Sequence, residues 1–263
     1  LAAEAPENDD VLLGLSRLVR RRGRLDEGLQ LLRGRLDAAV AASFNLSNET
    51  GTFDPAAEDM YPAPATPGFE PLPVDPFGPI PHAPGQPADP RSLAAARIVK
   101  IAGAFADALE HEAHEPSSAL AVVDKALAAV PDLPATAAGR ATLVARKVAL
   151  ARAQNDTDAL VDGLALLGLP DGLLEAATLA RSKLGDPELA AQLYTRVLAT
   201  RVPGDPQQGK RLSAAIEGLV RLRIEAGDID GADALMDAQL AELADAELRA
   251  RILTEIGRTL LAS

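Results

Sequence analysis

The chain has 263 residues, 48% of them apolar, but only five Phe, two Tyr and no Trp, so its core is built from aliphatic and small side chains. A formal charge of −12 with a pI near 4.7 disfavours broad binding to nucleic acid or anionic membrane, since phosphate contact needs a clustered positive surface. The absence of Cys excludes disulfides, thiolate nucleophiles and Cys-based zinc sites, and no apolar run reaches the ~18 residues a membrane span needs.

Ala and Leu, the two best helix formers, dominate, while Val and Ile are too scattered for a sheet; the fold class is all-α. The sequence begins at Leu1 without an initiator Met or a signal pattern and reads as a mature form or a piece of a longer chain. Cys content does not fix the compartment; the cytoplasm is favoured over export. Sequons at Asn45, Asn48 and Asn155 match N-x-[ST] at chance level.

Residues 1–45 hold two amphipathic runs, Asp9 to Ser43, split by "RRRGRLDEG", and form an N-terminal helix pair. Residues 46–90 form a different segment. From Asp54 to Pro90 there are twelve prolines, six acids and no basic residue, which precludes a helix because Pro lacks the amide and clashes with the preceding turn. Such a stretch favours polyproline II and reaches roughly 100 Å at about 3.1 Å per residue. Phe53, Tyr61, Phe69 and Phe77 recur at eight-residue intervals, with Leu72, Val74 and Ile80 between them. A solvated spacer seldom carries rings, so these four are expected to anchor an extended arm on protein, its own or a neighbour's. A plain linker is the alternative.

Residues 91–263 alternate helical stretches with short breaks such as "HEPSS", "QNDTD", "GDPE" and "EAGDIDG". Asp89-Pro90, Asp186-Pro187 and Asp205-Pro206 each predict a helix start, with Asp capping an orphan amide and Pro at the first helical position. About eleven helices are expected across the chain, in antiparallel pairs set by short connections, the last run capping the array.

The pairs repeat. "LSRLVRRRGRLDEGLQLLRGRL" (Leu15 to Leu36) and "LVRLRIEAGDIDGADALMDAQL" (Leu219 to Leu240) superpose on Gly23 and Gly227, with an acid three positions on and a small residue, Gly28 or Ala232, five positions on. "GDPELAAQLYTRVLA" fits with Gly185, Ala190 and Tyr194, and "PSSALAVVDKALAAVP" fits the second half with Ala119, Val123, Ala126 and Pro131. This pattern resembles the tetratricopeptide repeat, although the repeat-starting Trp and most large aromatics are absent and the spacing varies from about 30 to 42 residues. The resemblance implies a right-handed α-solenoid of antiparallel helix pairs. One pair cannot bury its apolar stripe alone, whereas stacked pairs bury a continuous core.

In that family the first helix of each pair lines a concave groove that supplies ligand contacts. Carrying the register over from the glycines puts Arg17, Arg20 and Arg21 on that face, and less direct registers add Arg152, Lys183 and Arg221. Such a groove in an acidic protein would select an acidic or extended peptide segment. The family's carboxylate clamp is not reproduced, because its Asn partners are missing. The alternative is that these cations are solvent-facing and balance nearby acids.

His111 and His114 in "EHEAHEP" stand at i,i+3 rather than the i,i+4 of a zincin, and Glu110/His114 and His111/Glu115 read as ion pairs at a helix end. No phosphate loop, nucleophile elbow or Ser/His/Asp arrangement is present, so neither catalysis nor a metal or other cofactor is expected. From Glu225 to Glu247 there are eight acids and no Lys or Arg, which reads as a solubilising surface, with a docking face for a basic partner as the alternative. The expected function is a non-catalytic scaffold or adaptor for protein partners, a structural subunit of a larger assembly being the specific version of that reading. The regulatory region of a larger enzyme is the alternative, and a metal-dependent enzyme on His111 and His114 a weaker third.

Overall fold

The computed structural model describes residues 9–49, 89–200, 205 and 207–241, together with 246, 249–250, 253–254 and 257–258. Among these residues the chain forms ten α-helices and no strand. They are α1 (Asp9–Arg21), α2 (Leu25–Glu49), α3 (Pro90–His111), α4 (Pro116–Ala129), α5 (Ala137–Gln154), α6 (Thr157–Leu167), α7 (Pro170–Leu179), α8 (Pro187–Ala199), α9 (Gln208–Glu225) and α10 (Ile229–Ala241). Of the expected terminal capping helix, the described positions beyond Ala241 are helical. The proline-rich arm and its anchors Phe53, Tyr61, Phe69 and Phe77 lie outside the described residues. Helix α2 continues past residue 45 to Glu49, carrying the Asn45 and Asn48 sequons on its last turns.

One backbone device joins the two helices of every pair. Gly23, His114, Asn155, Gly185 and Gly227 all take positive φ, between 55° and 79°. The amide that follows each bonds back across the end of the first helix: Arg24 to the Val19 carbonyl at 3.2 Å, Asp156 to Ala151 at 3.0 Å and Asp228 to Arg223 at 2.9 Å. Asp186 and Glu115 reach one residue further, to Ala180 at 3.0 Å and Leu109 at 2.8 Å. These are Schellman-type closures that satisfy carbonyls a helix end otherwise leaves orphaned. In three pairs the next residue starts the second helix: the carboxylates of Asp156, Asp186 and Asp228 accept the amides of Ala159, Leu189 and Gly231 at 3.0, 2.8 and 2.9 Å.

Five residues past the turn comes the small residue that lets the helices cross closely. Gly28, Ala119, Ala190 and Ala232 are all buried there. The α5–α6 pair departs from this with Leu160 at that position. It places Gly163 at the crossing instead, where a Cβ would fall 2.9 Å from Val148 Cγ2.

Two compact units divide the chain, Leu1–Phe105 with Ala128–Gly139, and Ala106–Leu127 with Arg140–Ser263. In the first, α1 and α2 run antiparallel: the Ser16 hydroxyl donates to the Gly28 carbonyl at 3.0 Å, and Arg35 reaches Asp9 at 2.8 Å. Leu32, Leu36, Ile98 and Ile101 are buried here. The second unit holds a continuous core from α5 to α9 in which Leu164, Leu173, Leu193, Tyr194, Val197 and Leu219 alternate with Ala176, Ala177, Ala180, Ala190 and Ala215. Alanine at the crossings and leucine between them is how a chain with seven aromatic rings fills its interior. A smaller cluster of Ile216, Val220, Ala232 and Leu240 joins α9 to α10.

Two local expectations are corrected. Helix α9 begins at Gln208, after the residue that follows Pro206, because Asp205 is engaged otherwise: it accepts the Gln207 amide at 2.8 Å and pairs with Arg211. Helix α3 ends at His111, and His114 sits in the left-handed turn, so Glu110/His114 and His111/Glu115 are not one turn apart on a helix. Glu110 pairs with Arg146 instead, and its other neighbour is His111 at 3.9 Å.

Candidate functional site

The first helices of successive pairs, α1, α3, α5, α7 and α9, are the face from which ligand contacts are expected. Their charged side chains pair from one first helix to the next. In the first unit, Asp9 and Asp10 of α1 hold Arg97 and Lys100 of α3 at 2.7 and 2.5 Å. In the second, Arg146 of α5 holds Asp107 and Glu110 of α3. Arg152 of α5 holds Glu175 of α7, and Arg181, just past α7, holds Glu225 of α9 at 2.9 Å. Arg211 of α9 grips Asp171 of α7 with two parallel bonds of 2.6 Å from Nε and Nη2, a bidentate fork, and turns Nη1 to Asp205.

The sidedness of Arg181 has a backbone cause. Residues Ala180–Leu184 continue α7 as one π-helical turn, which rotates the positions after Ala180 relative to a regular helix. Nothing in the glycine-based register anticipates that turn.

The six cations expected to line a groove therefore fall into different states. Arg152 is engaged with Glu175, and Arg221 with Glu217 one turn back at 2.9 Å. Lys183 is exposed at the end of the π turn. Arg20 is half-buried, its aliphatic stem lying against Gly28 of α2. Arg17 and Arg21 are exposed, one turn apart on α1, and make no ion pair with a described residue. Arg17, Arg20 and Arg21 belong to the first unit and Arg152, Lys183 and Arg221 to the second.

Burial shows where the first-helix surface is complete. The residue five positions before each left-handed turn residue is Leu109, Leu150, Ala180 and Leu222 in the later four pairs, exposed by only 5%, 1%, 0% and 8%. Leu222 lies in the core cluster with α7 and α8. In α1 the same position is Leu18, and it is 49% exposed. Arg17, Arg21 and the turn residue Arg22 surround it at helical spacing, all exposed. Helix α1 thus presents an open apolar residue within three arginines, where its counterparts are packed.

Lys147 of α5 is the buried cation that sequence reading missed. Its side chain is 8% exposed, and Nζ bonds Asp124 of α4 at 2.7 Å and Asp162 of α6. Burial alone would lower the ammonium, but the hydrogen bonds and Coulomb attraction of the two carboxylates outweigh it and hold the group above its ordinary value. A lysine between Arg146 and Val148 reads as surface charge in sequence; only the clustering of Asp124 and Asp162 from two other helices gives it away. The triad clasps three helices.

Around Arg211, a small notch lined by Pro170, Val197, Thr200, Gln208 and Leu212 is too tight for an organic ligand. Among the described residues no three His, Asp or Glu side chains gather as a metal would require, and no helix is long and apolar enough to cross a membrane. Compared with known proteins, the chain matches no family model and no curated protein.

Proposed function

We propose that the chain is a non-catalytic interaction scaffold, a right-handed solenoid of tetratricopeptide type that binds protein partners through its first-helix face and its proline-rich arm. The observation that carries this reading is the recurrence, in five successive pairs, of a left-handed turn residue with a Schellman closure, joined to first helices that are ion-paired to one another. A chain invests in that regularity when an extended surface is the product. The ion pairs between α3, α5, α7 and α9 favour shape and apolar contact there, while the open cations of α1 suit an acidic segment.

The test is affinity capture from the native extract with the intact chain beside one lacking residues 54–90 and one carrying Arg17→Glu and Arg21→Glu. A stoichiometric protein partner retained by the intact chain and lost from either variant supports the scaffold. Capture of nothing by the intact chain would count against it, as would substrate turnover by the purified chain alone.

A further inference from the structure

The helix ends of the second unit form two edges of opposite character. One edge holds the turns within pairs: Arg181 bonds Glu225 there, which brings the ends of α7 and α9 together, and α8 and α10 start from the turns that follow. The other edge holds the connections between pairs. Arg196 of α8 donates from Nη2 to the Ala165 carbonyl near the end of α6 at 2.9 Å, and Arg211 and Asp171 tie the start of α9 to the start of α7.

The edge of within-pair turns is acidic for a reason that repeats. Asp156, Asp186 and Asp228 cap α6, α8 and α10, and Asp158, Glu188 and Asp230 follow two positions later in the first turns. A helix N-terminus favours a carboxylate both as a cap and beside the dipole. The caps are engaged with backbone amides, whereas Asp158, Glu188 and Asp230 are exposed and make no ion pair with a described residue. Of the Lys and Arg near these turns, Arg152, Arg181 and Arg223 already hold acids, and among the described residues only Lys183 does not. Ile229 stands between Asp228 and Asp230 and is 55% exposed.

The between-pair edge carries the complement. Leu166 and Leu169 flank the left-handed Gly168 and are 44% and 60% exposed. Pro170 holds the residue before it in extended backbone, and Leu169 accordingly takes φ −72° and ψ 136°, so this leucine stands on a fixed support. Arg196, exposed beside Gly168, has a carbonyl but no carboxylate among the described residues, and Lys210 is exposed without an ion pair to one. The acids of this edge, Asp171 and Asp205, are both taken by Arg211. Uncompensated charge here is therefore positive, in a protein of net charge −12.

We propose that the second unit binds a second copy of this chain head to tail, with Leu166 and Leu169 of one copy packed on Ile229 of the next and Arg196 and Lys210 set against Glu188 and Asp230. Each edge supplies what the other lacks, an exposed aliphatic anchor beside free charge of the opposite sign. A two-fold contact would press like charge on like, so the contact is heterologous. A basic foreign protein would satisfy the acids but leave Leu166 and Leu169 open, and an acidic one would do the reverse; a second copy covers both edges. Three aliphatic anchors make a contact smaller than a standard permanent interface, so assembly should depend on concentration.

The inference goes beyond the scaffold reading and needs no foreign partner, so either can fail alone. Sedimentation velocity of the full chain over about a hundredfold range of concentration should show a sedimentation coefficient that rises with concentration. Leu166→Glu with Leu169→Glu closes one edge, and Ile229→Lys with Asp230→Lys closes the other. Each variant alone should stay monomeric over the same range. Mixed in equal amounts they should form a dimer and nothing larger, because one intact edge of each kind remains; that recovery also shows that both variants are folded. An intact chain that is monomeric throughout overturns the proposal and leaves the edges to other proteins. Self-association of either variant alone overturns it too, as does a mixture that stays monomeric.

Discussion

The ring of Tyr194 on α8 occupies the space that a side chain on Gly218 of α9 would need. A Cβ there would fall 2.6 Å from Cε2 and 2.7 Å from Cε1, and Tyr194, only 4% exposed, sits within the core cluster of α5 to α9. Gly218→Ala gains about 1 kcal/mol of helix propensity but overpacks a closed core, which typically costs about 1–3 kcal/mol. The net expectation is destabilisation of roughly 1 kcal/mol by urea denaturation. Combining it with Tyr194→Leu should give a smaller total loss than the two single changes added together. Strict additivity would mean that the ring and the glycine do not share this space.

That contact marks how far sequence reasoning reached. Gly23, Gly185 and Gly227 set the frame because glycine at a left-handed turn is a direct signal, and Tyr194 and the crossing alanines followed from it. His114 and Asn155 occupy the same turn position, but neither residue type announces it. His114 therefore reads as a partner in helix-end ion pairs, and Asn155 as a sequon within the break "QNDTD". The first-helix ion pairs were illegible for another reason: each joins residues 23 to 90 apart, whose meeting depends on how pairs stack. Of the candidate groove residues, the register could not foresee that Arg152 and Arg221 have partners. It also passed over Leu18, whose exposure is informative only beside four buried equivalents.

The two non-glycine turn residues give a prediction of opposite sign to the glycines. His114 at φ 57° and Asn155 at φ 55° carry a Cβ in the left-handed region, which costs about 1–2 kcal/mol for most L residues and less for Asn. His114→Gly should raise the unfolding free energy by about 0.5–1 kcal/mol, and Asn155→Gly by less. Gly185→Ala and Gly227→Ala should each lower it by about 1 kcal/mol, although a Cβ at either meets no atom within 4 Å. Equal effects at all four positions in urea melts would show that backbone strain is not the determinant.

Lys147 should be dispensable as a charge but not as a charge left alone. Its carboxylate partners are 45% and 59% exposed, so Lys147→Met leaves Asp124 and Asp162 solvated and should change stability by no more than about 1 kcal/mol. The double change Asp124→Ala and Asp162→Ala instead strands a buried ammonium and should cost about 3 kcal/mol. Because the folded-state ammonium is held above the ordinary value of 10.5, its contribution is complete below that pH and is lost as pH rises through the folded value. The gap between wild type and the Met variant should therefore be flat across neutral pH and narrow only in strong alkali. A gap that closes between pH 6 and 8 would contradict this assignment.

At the acid end, Asp171 and Asp228 should control the pH response of unit 2. The Arg211 fork holds the Asp171 carboxyl below its ordinary 3.8, although burial opposes this slightly. Arg223, with the Gly231 amide, does the same for Asp228. Both carboxylates favour the folded state above the unfolded value and lose that contribution as pH falls through their depressed folded values. Carbon-detected NMR titration should place both midpoints below 3.8, and Arg211→Met should move Asp171 upward while leaving Asp228 in place. Replacing Arg223 by Met should do the reverse, with Asp228 remaining partly depressed by its cap to Gly231. The asymmetry follows from geometry: Asp171 is held by the Arg211 guanidinium with Coulomb attraction from Lys210, whereas Asp228 also serves a helix N-terminus and keeps its backbone donor when its arginine is removed. A return of Asp228 to 3.8 in that variant would mean that the cap contributes nothing to its ionisation.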